Sequence, residues 1–188
     1  MTILQKRLES KNLFAISIQI IYLLFYIRSM KTIIRKGTQK DLPAVLKLIK
    51  ELADYENALE EVTITLEDLK KDGFRDHPYY WFLVAEHKNT IVGLSFYWIR
   101  YSTWKGKFLF LEDFIIKAEY RNFGIGSKLF EETVKVCKEL RLKGMNWQVL
   151  DWNSSAIAFY KKYNSDISSD WLNGKLTMSQ INDICSNL

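Results

Sequence analysis

Residues 111–127 (LEDFIIKAEYRNFGIGS) constrain this chain more than any other stretch. The first part, LEDFII, is rich in aromatic and β-branched residues and reads as a strand carrying two adjacent acids. KAEYRNF follows as a short loop, and Gly124-Ile125-Gly126-Ser127 opens an amphipathic helix. A strand that feeds a helix through glycines predicts a crossover to a further strand of the same sheet, parallel to the first. A helix start leaves several N–H groups unpaired, and its dipole favours an anion there. Glycines at 124 and 126 would let the backbone approach a bulky diphosphate without a Cβ in the way, and Arg121 could add a charge-assisted contact. A plain glycine-containing turn fits the same residues. The run is neither a Walker loop nor a full GxGxxG fingerprint.

The elements around it can be read in order. Residues 32–35 are β-branched and predict a first strand. Thr38 or Asp41 can cap the helix that follows, with Pro43 in its first turn. Leu42, Val45, Leu46, Ile49, Leu52 and Ala53 mark its inward face, and it ends near Tyr55-Glu56-Asn57. Thr65 and Asp68 form a capping box for a second helix that Gly73 stops. Residues 80–86, 91–101 and 107–117 predict three antiparallel strands, the first two joined by His87-Lys88-Asn89-Thr90. The helix 124–140 turns Leu129, Val136, Cys137 and Leu140 inward, a strand at 145–150 follows, and Asn153 or Ser154 caps a helix through Tyr163. Residues 171–177 predict a last strand before a terminal helix. The whole is α/β: a mixed, mostly antiparallel twisted sheet flanked by helices.

Composition narrows the function. The chain has 188 residues, enough for one domain with a real core. Two cysteines, Cys137 and Cys185, and two histidines, His77 and His87, show no metal-ligand spacing, so no metal is expected and a reducing cytoplasm fits. The net charge is +5, but four cations against one acid in residues 1–30 carry more than half of it. With no run of like charges in the rest, nucleic acid is not an expected partner.

Residues 13–27 (LFAISIQIIYLLFYI) are apolar apart from Ser17 and Gln19, with basic residues on both sides. That run is short of the roughly 20 residues that span a bilayer, and no small-residue cleavage site follows it. Residues 1–30 are read as an apolar N-terminal extension ahead of a domain at 31–188. A membrane is not the expected partner, although residues 13–27 keep it open.

Glu112 and Asp113 suit a cationic ligand, since a carboxylate can both bind an ammonium and take its proton. Alternation along a strand sends the two to opposite faces unless a bulge intervenes, so the chemistry is placed on Glu112, with Asp113 in a supporting role. Tyr160, beside Ile157 and Phe159 on a short helix, reads from these residues alone as a packed aromatic ahead of a proton donor.

Arg121-x-x-Gly124-x-Gly126, behind an acidic strand and ahead of a helix, resembles the acetyl-CoA motif of the GNAT superfamily of N-acetyltransferases. The runs LIKELADYE (48–56), LVAE (83–86), YSTWKGK (101–107), LEDF (111–114), EYRNFGIGS (119–127) and VLDWN....FYK (149–161) are similar to its diamine acetyltransferase branch, which acts on spermidine, spermine and thialysine. The resemblance implies a sheet that splays between the strand ending near Lys117 and the strand 145–150. Pantetheine would pair with backbone groups of Phe114, Ile115 and Ile116. Arg121, Asn122, Phe123, Gly124, Ile125, Gly126 and Ser127 would hold the pyrophosphate, and Asn153, Ser154, Ser155 and Ala156 would line the other wall. It further implies an amine site formed by Tyr55, Glu56, Glu112 and Asp113, with Glu112 as base, Tyr160 as the acid for the departing thiolate, and a homodimer. The expected activity is acetyl transfer from acetyl-CoA to a small cationic amine. A protein or amino-acid N-acetyltransferase and a catalytically silent acyl-CoA-binding or membrane-tethered interaction protein are the alternatives.

Overall fold

The computed structural model describes residues 32–186, and residues 13–27 lie outside that range. The chain divides into two compact units, one ending at Gln148 and the other beginning at Val149. The first unit is a five-stranded sheet in the order β1-β2-β3-β4-β5, formed by Thr32–Lys36, Trp81–His87, Thr90–Ser102, Gly106–Ile116 and Met145–Trp147. The first four strands pair antiparallel, and β5 runs parallel to β4. Lys88 and Asn89, both at positive φ (49° and 61°), make the two-residue turn between β2 and β3. Their left-handed conformation matches the twist of the flanking strands.

One face of the sheet is covered by α1, Leu42–Tyr55, and α2, Leu66–Gly73. Leu42, Val45 and Leu48 of α1 form a buried core with Leu69, Val84, Leu94 and Ile115. The buried stripe includes Leu48, which falls on the same face as Leu42 and Val45, while Leu46, Ile49 and Leu52 pack along its side. The Thr38 and Asp41 pair caps the entry to α1. Asp41 also accepts both terminal nitrogens of Arg35 at 2.8 Å, and Arg35 Nε reaches Glu86 Oε2 at 2.6 Å. The guanidinium holds the Asp41 carboxyl down at about 2, and the network ties β1, β2 and the mouth of α1 together.

The opposite face carries α3, Ile125–Glu139, through Ile125, Leu129, Phe130 and Thr133. Ser95 of β3 and Thr133 share a buried hydrogen bond of 2.7 Å, and Phe114 meets Phe130 edge-on at 5.8 Å. Val136 and Cys137 are only half-buried. Leu140, expected inside, is 55% exposed because the helix ends at Glu139 and Leu140 is its cap.

Two sequence expectations change. The parallel strand is three residues long, Met145–Trp147, and not 145–150. Residues 171–177 form no strand; Trp171 and Leu172 are 81% and 96% exposed. Asn173 and Gly174 interrupt that run, and strand character without a ladder partner is weak. In the second unit, α4 (Ser154–Lys161) and α5 (Met178–Ser186) are the regular elements. No helix of the described residues is long and apolar enough to cross a membrane.

Candidate active site

The register of β4 against β3 breaks at one residue. Leu111 lies opposite Tyr97 and Asp113 opposite Phe96, so Glu112 is an extra residue, a β-bulge. Its consequences can be traced atom by atom. Before the bulge, the Leu109 N–H points to the β5 side, donating to Gly144 O at 3.0 Å. After it, the Lys117 N–H points to the β3 side, donating to Val92 O at 2.9 Å. Strand amides alternate in direction, so two residues eight apart would face the same way in a regular strand. The bulge reverses the phase. The parallel ladder stops at the same place, its last pair being Leu111 with Trp147.

Beyond the bulge, Phe114 and Ile116 are therefore the residues whose N–H and C=O face away from β3, along an edge that β5 does not pair. The Ile116 carbonyl already accepts from Arg121 Nε at 2.9 Å. Ile115 turns its own amide to β3 and its side chain into the core against α1. Of the three residues expected at this edge, two offer backbone groups to it and one does not.

The same bulge decides the two acids. Phe110 pairs with Trp98, and Asp113 pairs with Phe96. Trp98 and Phe96 are two apart on β3 and so share a face, the one covered by α1. Asp113 therefore lies on that face, and Glu112 joins it, accepting a hydrogen bond of 2.8 Å from Trp98 Nε1. The expectation that alternation separates the two carboxylates is corrected: the extra residue puts both on one face.

Glu56, at the C-terminal cap of α1, completes the cluster. Burial, and then the charges of Glu112 and Glu56, push the Asp113 carboxyl up to about 7. Burial also raises the Glu56 carboxyl. Trp98 is a member of this site that sequence reading missed. Its signal was present only in the pairing across the β3–β4 hairpin, which places it opposite Phe110 and within reach of the bulge.

The glycine turn follows from Lys117 through a single turn of 3-10 helix at Ala118–Tyr120. Asn122 and Gly124 adopt positive φ (63° and 74°), and α3 begins at Ile125 without a side-chain cap. A Cβ on Gly124 would meet no atom within 4 Å, so glycine is needed here for its backbone angle and for an open approach to the helix end. Ile125 is fully buried and anchors the turn, while Gly126, Ser127 and Phe123 are half-buried. The Arg121 guanidinium stacks over the Tyr55 ring, 5.4 Å from its centre. A cavity of ≈ 250 Å³ beside them is lined by Glu51, Asp54, Tyr55, Ile115, Lys117, Ala118 and Arg121. Tyr55 thus sits with the arginine of the glycine turn.

The second unit holds the remaining expected residues. Asn153 caps α4, its Oδ1 accepting the Ala156 N–H and the Ser155 hydroxyl, each at 3.1 Å. Ser154 is the first residue of that helix. Tyr160 is 6% exposed and meets Phe159 edge-on at 5.3 Å.

Comparison with known proteins gives this arrangement a family. Residues 44–164 match the model of the acetyltransferase (GNAT) family. Thialysine N-epsilon-acetyltransferase of Bos taurus is 40% identical over 136 residues, 68% of this chain and 80% of that protein. Spermidine/spermine N(1)-acetyltransferase-like protein 1 of Homo sapiens is 34% identical over 73% of this chain and 21% of its own length. Among solved structures, an aminoglycoside acetyltransferase from a soil metagenome superposes with a TM-score of 0.67 at 19% identity, over 79% of this chain and 97% of its own, a likeness of fold. The family match covers most of the chain and the relatives agree with it, so the chain belongs to the GNAT family of acetyltransferases, within its diamine acetyltransferase branch.

Proposed function

We propose that this enzyme transfers the acetyl group of acetyl-CoA to a primary amine of a small cationic substrate, a diamine, polyamine or lysine-like molecule, by direct attack. The observation that carries the reading is the placing of Glu56, Glu112 and Asp113 together on the α1 face, beside the stretch of β4 that β5 does not pair. Three carboxylates recognise a cation, and none of them suits an anionic or apolar acceptor.

The residues also suit acetyl-CoA as co-substrate. Arg121 and the amides of residues 122–127, at an uncapped helix start, match a pyrophosphate in charge and donor direction. Phe114 and Ile116 offer N–H and C=O groups to the amide-bearing pantetheine arm, and Asn153 with residues 154–156 supplies a second helix start. A backbone N–H of β4 near Ile115 is the donor for the thioester oxygen as it gains negative charge. Glu56, Glu112, Asp113 and Tyr55 bind the acceptor, and one carboxylate receives its proton before the nitrogen attacks. Tyr160 gives a proton to the departing thiolate. In this reading residues 31–188 are one catalytic domain, residues 1–30 an extension, and the cytoplasm the compartment. A homodimer belongs to it too, since Trp171, Leu172, Leu176 and Met178 are exposed in the second unit and would be covered by a second copy.

A thiol-release assay with acetyl-CoA and a panel of amines tests the function. Release with spermidine, thialysine or ornithine is the expected result. Release only with peptide N-termini would replace the substrate class, and no release with any amine would remove the function.

A further inference from the structure

The bulge presents two neighbouring carboxylates to the same face, and their surroundings differ. Glu112 is exposed and accepts the indole N–H of Trp98 at 2.8 Å. That bond holds the Glu112 carboxylate at the surface, beside the indole. Asp113 is half-buried, and no hydrogen-bond donor among the described residues reaches its carboxyl. The charged groups acting on it are Glu112 on its own strand and Glu56 from the end of α1. Phe96 lies opposite it on β3 and contributes no charge. Asp113 also directly precedes Phe114, whose N–H faces the open edge.

We infer that Asp113, and not Glu112, takes the proton from the ammonium of the acceptor, while Glu112 and Glu56 hold the cation in place. The inference rests on the proposed function and names the base within it. The step balances as follows. The ammonium gives one proton to the Asp113 carboxylate. The freed lone pair forms the N–C bond, the C–S bond breaks with its electron pair on sulfur, and the thiolate takes up one proton. The nitrogen's second proton balances the one that sulfur takes up, and Asp113 releases its own to solvent. An acceptor pKa near the working pH suits this role better than an ordinary carboxylate does. Two like charges at its side keep Asp113 basic until a cation arrives.

The test is the pH dependence of kcat/KM and kcat with an amine substrate, for the wild type and for Asp113→Asn, Asp113→Glu, Glu112→Gln and Glu56→Gln. In the wild type kcat/KM should fall as the pH drops through about 7. Asp113→Asn should lower kcat by at least about 100-fold and abolish that limb, with acetyl-CoA binding by calorimetry unchanged, and Asp113→Glu should restore part of both. Glu112→Gln and Glu56→Gln should be slower yet keep the limb, moved to lower pH because a neighbouring negative charge is gone. Loss of the limb in Glu112→Gln, or its survival in Asp113→Asn, would overturn the assignment. Carboxyl carbon NMR of the free protein reads the Asp113 titration without turnover, and an inflection near 4 would overturn it as well. A wild type that acetylates no amine fails at the proposed function, a result separate from either.

Discussion

Leu109 and Lys117 lie on one strand eight residues apart, and their amides donate in opposite directions, to Gly144 on one side and Val92 on the other. A single inserted residue, Glu112, accounts for the reversal. The β4–β5 ladder stops at that residue, and the bulge brings Glu112 and Asp113 onto one face. Both are conditions for the site.

A chain lacking Glu112 should therefore keep its fold. Removing the extra residue restores regular alternation, with Leu111 opposite Tyr97, Asp113 opposite Phe96, and every later residue on its present face. The loss in stability should be about 1–2 kcal/mol, and acetyl-CoA binding should be retained while affinity for the amine falls. Thermal melts and calorimetry would check it; a collapsed fold would show that the bulge is needed for packing and not for placing a carboxylate.

Tyr160→Phe should lower kcat by about 100-fold with little change in acetyl-CoA affinity, since the ring's packing stays and only the hydroxyl goes. Steady-state kinetics with a calorimetric Kd would decide this. Unchanged turnover would return Tyr160 to the role of a packed aromatic.

Asp113 should make stability depend on pH in an unusual sense. Its carboxyl is raised to about 7 in the folded protein. Between its ordinary value and 7 the folded state binds more protons than the unfolded, so stability falls as pH rises and levels off above that range. The loss between pH 5 and pH 8 should be about 2 kcal/mol, and Asp113→Asn should flatten the slope. Denaturant titrations at several pH values measure it.

Asp41 should act with the opposite sign. Arg35 holds its folded-state value down at about 2, so its contribution is present above the ordinary carboxylate value and is lost as pH falls through 2. Asp41→Asn should cost about 2–3 kcal/mol at pH 7, with the difference from wild type closing toward pH 2. Denaturant melts at both ends of the range would show the convergence.

The sequence by itself determined the local elements and the glycine turn. Capping residues at Thr38, Asp41, Thr65 and Asn153, the helical stripe of α1, the turn at Lys88-Asn89 and the crossover at residues 111–127 are short-range patterns, and each is an interaction between residues close along the chain. It also supplied the residue types of the site, through motifs that a family shares. What it left open depended on pairing between distant segments. Whether Glu112 and Asp113 share a face is set by the register of β4 against β3, which no stretch of β4 encodes alone. The place of Trp98 follows from that register. Residues 171–177 have strand-like composition, yet a strand exists only with a partner edge. The acidic strand that reads as one site residue and one bystander becomes, once folded, a pair of carboxylates on a single face, because one extra residue changes the phase of everything after it.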